Sequence, residues 1–190
     1  MNIIHRDIKL ENILLQNKND IETMKLTDFS LSIELENDIL LTVQVGTCYY
    51  MAPEIFRKQP YGNKIDCWSA GIVIYSLLCG VFPFSGENNA LVKNILTGKF
   101  KYPPNIEISD TCKDFIEKLI CVSPSKRMSS ISAMNHPFLE GKEIVGRRLS
   151  NHGDLKNCRS ESLISHISMT SETNYDYDDD DFYYDSEVFE

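Results

Sequence analysis

The sequence lacks a hydrophobic run long enough to cross a bilayer. Its longest mostly apolar stretch, residues 70–84, has 15 residues and includes Gly80 and Pro83, whereas a membrane-spanning helix needs about 20. The first eleven residues carry four charges and no apolar segment, so they do not resemble a signal peptide. The six cysteines include no C-x-x-C pair, which favours reduced thiols over a disulfide or zinc framework. These absences predict a cytoplasmic protein with no membrane partner.

A basic excess is also lacking. The net charge is −9, and residues 171–190 contain nine acidic side chains with no lysine or arginine. Residues 1–170 therefore contain 19 acidic and 19 basic side chains. This balance argues against nucleic acid as a partner, because nucleic-acid-binding domains are basic. The acidic end of the chain is instead typical of a disordered tail.

Composition divides the chain into a folded part, residues 1–140, and a disordered acidic tail, residues 141–190. Short apolar pieces on both sides of a polar loop predict a β-hairpin between residues 13 and 26. Residues 30–50 follow no period, and long loops inside compact domains are usually functional. Periodicity and capping residues predict four helices, the first apolar nearly all round and so buried: Asp66–Cys79, Asn88–Leu96, Asp110–Cys121 and Ser129–Asn135.

Two short motifs carry chemistry. Residues 5–12 read H-R-D-I-K-L-E-N, which matches the protein kinase catalytic loop H-R-D-x-x-x-x-N. Residues 28–30 read D-F-S, where that family has D-F-G. On these residues the sequence resembles the protein kinase family. A lysine two residues after the aspartate, here Lys9 after Asp7, is similar to the pattern of serine/threonine kinases.

Further segments extend the resemblance in family order over residues 2–139. They are G-T-C-Y-Y-M-A-P-E at 46–54, D-C-W-S-A-G at 66–71, P-S-K-R-M at 124–128 and H-P-F at 136–138. The residues around Tyr49-Tyr50 and the H-P-F segment are most similar to those of calcium- and calmodulin-dependent kinases. The resemblance implies that Asp66 accepts N–H bonds from the catalytic loop, that Glu54 and Arg127 form a buried ion pair, and that Trp68 lies in the core.

The resemblance also implies roles for five side chains. Asp7 would accept the proton of a substrate hydroxyl, and Lys9 would neutralise charge on the transferred phosphate of ATP. Thr47 would hydrogen-bond both of them and help to form the substrate floor. Asn12 and Asp28 would bind Mg²⁺ and, together with Lys9, the nucleotide.

The implied fold is a partial α+β protein kinase-like fold, a mostly helical C-lobe with a short β-hairpin. The implied function is transfer of the ATP γ-phosphate to serine or threonine of protein substrates, in a full-length context. The alternative is a noncatalytic kinase-like module that binds proteins. No glycine-rich loop or strand lysine is visible in the 190 residues. An apolar surface is therefore expected beside the central helix, open to an N-lobe or a regulatory partner.

Three features bear on activity and regulation. Ser30 replaces the D-F-G glycine, and a backbone that needs glycine-only angles there would be strained by about 1–3 kcal/mol. Arg6 would contact a phosphorylated residue of the activation loop (residues 30–50). The candidates are Ser32, Thr42 and Thr47, and Thr42 is preferred, although the usual phosphorylated position, three before Gly46, holds Val43. Activation without phosphate is equally open. Glu11 favours a basic substrate residue, although Ser76 stands where strongly basophilic relatives carry a second acid.

The tail contains two further patterns. Residues 176–187 follow the spacing of an EF-hand calcium loop, but Asp181 stands where the sharp turn needs glycine, so calcium binding is not expected. Residues 147–150, R-R-L-S, form a basophilic phosphorylation pattern of a kind that is frequent by chance.

We expect the 190-residue chain by itself to bind Mg²⁺-ATP weakly or not at all. Phosphoryl transfer depends on positioning and electrostatics, and many of the groups that position the nucleotide are not visible in this sequence. A thermal-shift titration of the purified chain with Mg²⁺-ATP checks this. A clear, saturable rise in melting temperature would contradict it.

Overall fold

The computed structural model describes residues 3–17, 20–35 and 40–139. The expected disordered tail, with its calcium-loop spacing and its R-R-L-S pattern, lies outside the described residues. Within them, no helix is both long enough and apolar enough to cross a membrane.

Two small antiparallel sheets carry the first part of the chain. Strand β1 (Ile3–Ile4) pairs with β4 (Ile33–Glu34), and β2 (Ile13–Asn17) pairs with β3 (Asp20–Leu26). The second pair confirms the predicted hairpin. Because the ends of a hairpin are adjacent, the residues before β2 and those after β3 lie side by side, and these residues belong to the two sequence motifs.

Within the described residues, five α-helices follow the strands. They are α1 (Pro53–Phe56), α2 (Lys64–Cys79), α3 (Asn89–Thr97), α4 (Asp110–Leu119) and α5 (Ser130–Met134). The four predicted helices are confirmed with ends shifted by two residues or fewer. Gly98 caps α3 in the left-handed conformation, and the Ser109 hydroxyl accepts the N–H of Cys112 at the start of α4. The one-turn helix α1 was not predicted.

Helix α2 is the centre of the core and packs against α4. Trp68 and Ile72 are completely buried. At Gly71 an added Cβ would lie 2.8 Å from a side-chain atom of Ile120 and 2.9 Å from the Cβ of Leu119, so only glycine allows this approach. The expected burial of α2 and of Trp68 is confirmed.

Exposed apolar side chains are concentrated on the β2–β3 hairpin and just beyond it. Leu14, Leu15, Met24, Leu26 and Phe29 are each 37–56% exposed. The apolar surface was expected beside the central helix instead, but in α2 only Leu77 is exposed. Just after α2, Val81 is also 49% exposed, so an apolar surface beside the central helix stays a prediction.

The predicted ion pair between Glu54 and Arg127 is present and buried. Two guanidinium nitrogens donate to the two carboxylate oxygens at 2.6 and 2.8 Å. Arg127 also donates to the carbonyls of Cys121 (2.8 Å) and Lys64 (3.0 Å), and its guanidinium lies 5.1 Å from the centre of the Trp68 ring. The buried charges are thus paired and hydrogen-bonded, as a stable buried pair requires.

We predict that Arg127→Ala destabilises the fold by about 3–5 kcal/mol, because it leaves the Glu54 carboxylate buried without a partner. Urea unfolding measures the loss. The matched control is Lys118→Ala, which removes an ion pair to Asp114 whose side chains are both 51% exposed and should cost less than about 1 kcal/mol. Equal effects of the two substitutions would contradict the prediction.

Candidate active site

The loop that carries H-R-D is fixed to helix α2 through Asp66. Its two carboxylate oxygens accept the N–H of His5 (2.7 Å) and the N–H of Arg6 (3.0 Å), as expected. Arg6 has a φ of 68°, which a residue with a side chain rarely adopts. Burial raises the pKa of the Asp66 carboxyl, and the two N–H donors oppose that rise. The start of α2 therefore holds the loop in its strained shape.

Four of the five predicted site residues meet at the carboxylate of Asp7, which is 8% exposed. The Lys9 ammonium lies 2.7 Å from Asp7 Oδ2, and the Thr47 hydroxyl donates to Asp7 Oδ1 at 2.8 Å. Lys9 also donates to the Thr47 hydroxyl at 3.0 Å. The Asn12 amide donates to the Asp7 carbonyl (2.9 Å) and to Oδ2 (3.2 Å). The hydrogen bonds expected of Thr47 are present.

The fifth residue, Asp28, lies beside this cluster. The N–H and the hydroxyl of Thr27 donate to the Asn12 carbonyl at 2.8 and 3.1 Å, so Asp28 directly follows a residue bonded to Asn12. The Asp28 side chain is exposed, and Lys9 is close enough to contribute to lowering its pKa, after the larger effect of the hydrogen bonds from Ser30.

Ser30 does not bear the strain that its replacement of glycine suggested. Among the described non-glycine residues, a positive φ occurs at Arg6, Asp28, Lys58 and Asn88, and Ser30 is not one of them. The backbone strain expected at Ser30 is therefore not found at that residue. The left-handed residue is Asp28, with a φ of 59°, and aspartate tolerates that region better than most residues. The Ser30 hydroxyl instead donates to Asp28 Oδ1 at 2.6 Å.

His5 joins the two motifs, a role that the sequence reasoning missed. A nitrogen of its ring lies 3.0 Å from the Thr27 carbonyl, and the ring contacts Phe29 edge-on at a centroid distance of 4.8 Å. His5 is buried, whereas Phe29 is 56% exposed. The place of His5 as the first letter of H-R-D was the signal that could have identified it.

The activation loop returns to the catalytic loop at Gly46. Its φ is 115°, and an added Cβ would lie 2.6 Å from the Arg6 carbonyl oxygen, so only glycine fits. The Arg6 side chain donates through Nε to the Leu31 carbonyl at 2.5 Å. Thr42 is exposed, and its phosphorylation stays a prediction.

Glu11 lies close to an aromatic group. The Tyr50 hydroxyl donates to Glu11 Oε2 at 3.4 Å, and burial together with that carboxylate raises the pKa of the phenol. Phe82 stacks on Tyr49 at 4.8 Å and meets Tyr50 edge-on at 5.4 Å. Ser76, the position where strongly basophilic relatives carry a second acid, is buried and uncharged. Of these two positions, only Glu11 is therefore acidic.

Residues 1–139 match the family described as "Protein kinase domain", and the chain belongs to that family. Five helices with two small antiparallel sheets fit a kinase-like fold.

Three relatives named as calcium-dependent or calcium/calmodulin-dependent protein kinases are 38–40% identical to this chain. Over 142 residues the chain is 40% identical to the calcium/calmodulin-dependent protein kinase type 1 of Macrobrachium nipponense, which covers 73% of this chain and 41% of that protein. The Caenorhabditis briggsae protein of the same name is 39% identical over 142 residues, covering 73% and 40%. Calcium-dependent protein kinase 21 of Arabidopsis thaliana is 38% identical over 154 residues, covering 80% and 29%. The chain thus spans less than half the length of these relatives.

We predict that Asp66→Asn loosens the catalytic loop. An amide has one oxygen, and its NH₂ group would face the N–H of His5 or Arg6, so one hydrogen bond is lost and one buried donor is left unsatisfied, at about 1–3 kcal/mol. Faster hydrogen exchange of the His5 and Arg6 amides, with a lower urea midpoint, is the expected result. The control Glu117→Gln changes an exposed carboxylate of α4 and should alter neither. Unchanged exchange in Asp66→Asn would show that the loop is held by other contacts.

Proposed function

We propose that this chain carries the phosphotransfer site of a protein serine/threonine kinase and, in its full-length context, transfers the γ-phosphate of ATP to serine or threonine. The observation that carries the proposal is the Asp7 carboxylate, which is buried at 8% exposure and held by Lys9, Thr47 and Asn12. A carboxylate in a fixed orientation suits a reaction in which catalysis is mostly positioning and electrostatics.

In this proposal each group has one task. Asp7 orients the substrate hydroxyl and accepts its proton. Lys9 uses two of its three N–H donors on Asp7 and Thr47 within the described part of the chain, and a phosphate oxygen can take the third. Thr47, near the C-terminal end of the activation loop, holds Asp7 and Lys9 together.

The residues present fit Mg²⁺ and ATP as cofactors. Mg²⁺ takes oxygen ligands. The Asn12 NH₂ group is turned to Asp7, which directs the amide oxygen away from that carboxylate, and the Ser30 donors both engage Oδ1 of Asp28, which leaves Oδ2 as the oxygen for a metal. Asn12 and Asp28 would hold the ion, which when bound neutralises charge on phosphate oxygens.

Substrate preference and location complete the proposal. Glu11, exposed beside the Tyr50 hydroxyl, supports a mild preference for a basic residue in the substrate protein. Within the described residues no disulfide joins the cysteines, in keeping with a cytoplasmic location.

We further propose that residues 1–140 are a kinase C-lobe. The exposed apolar side chains of the β2–β3 hairpin supply a surface that the ATP-binding half would cover. The same surface supports the second candidate, a noncatalytic kinase-like module that binds a protein. An in-frame glycine-rich loop and strand lysine in the coding sequence upstream would favour the enzyme.

We predict that Asp7→Asn, in a lengthened protein that carries an ATP-binding half, lowers kcat by about 100-fold or more, because an amide cannot accept the substrate proton. Phosphate transfer to a serine-containing peptide measures it. Asp110→Asn, at a fully exposed carboxylate, is the control. If Asp7→Asn keeps full activity while the wild type is active, the assignment of the base is wrong.

The same assay separates the role of the Thr47 hydroxyl from that of its methyl group. Thr47→Ala removes hydrogen bonds to both Asp7 and Lys9, and we expect kcat to fall about tenfold, as for loss of one to two hydrogen bonds. Thr47→Ser keeps the hydroxyl and should stay within about threefold of wild type. Equal activity of the alanine and serine variants would remove Thr47 from the mechanism.

A further inference from the structure

Tyr61 makes three hydrogen bonds to the activation loop. Its N–H donates to the Leu41 carbonyl at 2.8 Å, and its carbonyl accepts the Leu41 N–H at 2.9 Å; the two residues form an isolated antiparallel bridge. The phenol hydroxyl then donates to the Val43 carbonyl at 2.6 Å. One residue outside the loop thus fixes the backbone of two residues within it.

This anchor belongs to the core. The Tyr61 side chain is 3% exposed and lies in the main hydrophobic cluster, against which Leu41 packs. The loop side chains next to the anchor face outwards: Thr42 is exposed, and Val43 is 58% exposed. The attachment is therefore made by backbone groups of the loop and by a buried phenol.

The other end of the same segment is fixed at the active site. Gly46 lies against the Arg6 carbonyl, and Thr47 bonds to Asp7 and Lys9. The loop is thus tethered at Leu41 and at Thr47, with five residues between the two points. A short segment held at both ends has little conformational freedom left to lose.

Tyr61 is also close in sequence to the anchor of the catalytic loop. Five residues later, Asp66 accepts the N–H groups of His5 and Arg6. Tyr61, just before α2, therefore holds the activation loop, and Asp66, in the first turn of α2, holds the catalytic loop. The activation loop and the catalytic loop are therefore both hydrogen-bonded to the same short segment, residues 61–66.

We infer that Tyr61 is a positioning residue for phosphotransfer, which holds the activation loop in place through these hydrogen bonds without a phosphate on Thr42. The inference rests on the proposed function. The position three before Gly46, where the family pattern places the phosphorylated residue, is Val43, and it is the carbonyl of that residue that the Tyr61 phenol binds. The Arg6 side chain is meanwhile engaged by the Leu31 carbonyl.

Hydrogen exchange tests the anchor without any assay of activity. In the unphosphorylated full chain, Tyr61→Phe should speed exchange of amides in residues 41–47 about fivefold, the factor expected for one lost hydrogen bond. The matched control is Tyr75→Phe, because the Tyr75 phenol is equally buried and also donates to a backbone carbonyl, that of Lys101, at 2.6 Å. It should leave residues 41–47 unchanged. Equal exchange of this segment in wild type and Tyr61→Phe would overturn the inference.

Kinetics of a lengthened, active protein test the positioning role. Tyr61→Phe should raise KM for a peptide substrate about fivefold and leave KM for ATP unchanged, whereas a general loss of stability would not separate the two. Thr42→Ala should leave kcat/KM unchanged, and a tenfold loss in that variant would overturn the inference. If the wild type transfers no phosphate, the proposed function fails, and the exchange experiment still decides whether Tyr61 holds the loop.

Discussion

Two consecutive backbone N–H groups, those of His5 and Arg6, donate to the two oxygens of one carboxylate, Asp66. The arrangement of the candidate site depends on this interaction, because Arg6 adopts a φ of 68° and strain of that kind amounts to about 1–3 kcal/mol. Hydrogen bonds to a charged acceptor are stronger than neutral ones, and a carboxylate can accept at both oxygens together. The loop keeps its shape because the helix that holds it is itself buried, so Asp7 next to Arg6 is delivered to a fixed place.

A fixed place matters more here than an unusual chemical group. Asp7, Lys9 and Thr47 form a closed triangle of contacts at 2.7, 2.8 and 3.0 Å, and Thr47 belongs to a loop 40 residues further along the chain. The triangle therefore exists only when the activation loop is in position. Thr47 and the carboxylate that we propose to be catalytic are joined in one hydrogen-bonded unit, which connects order in the loop directly to order at Asp7.

Much of this could be predicted from the sequence. Helices α3 and α4 carry apolar periodicity with the capping residues Gly98 and Ser109, and α2 is apolar nearly all round. The contacts of Asp66 follow from the family motif. The left-handed conformation of Asp28 could not be predicted, because the motif does not reveal which residue of D-F-S adopts it. The Tyr61 anchor left no signal either, since a single bridge between residues 20 positions apart creates no local pattern.

The ion pair of Glu54 and Arg127 also supports the catalytic loop, although Arg127 is distant in sequence from Asp7. Arg127 donates to the Lys64 carbonyl as well as to Glu54, and Lys64 is the first residue of α2, two before Asp66. A buried pair is favourable only when its remaining donors are satisfied, and here satisfying them fixes the first turn of α2. The carboxylate that holds the catalytic loop therefore stands on a turn that a buried guanidinium keeps in place. Arg127, which lies outside the candidate site, thus helps to set the position of the side chains within it.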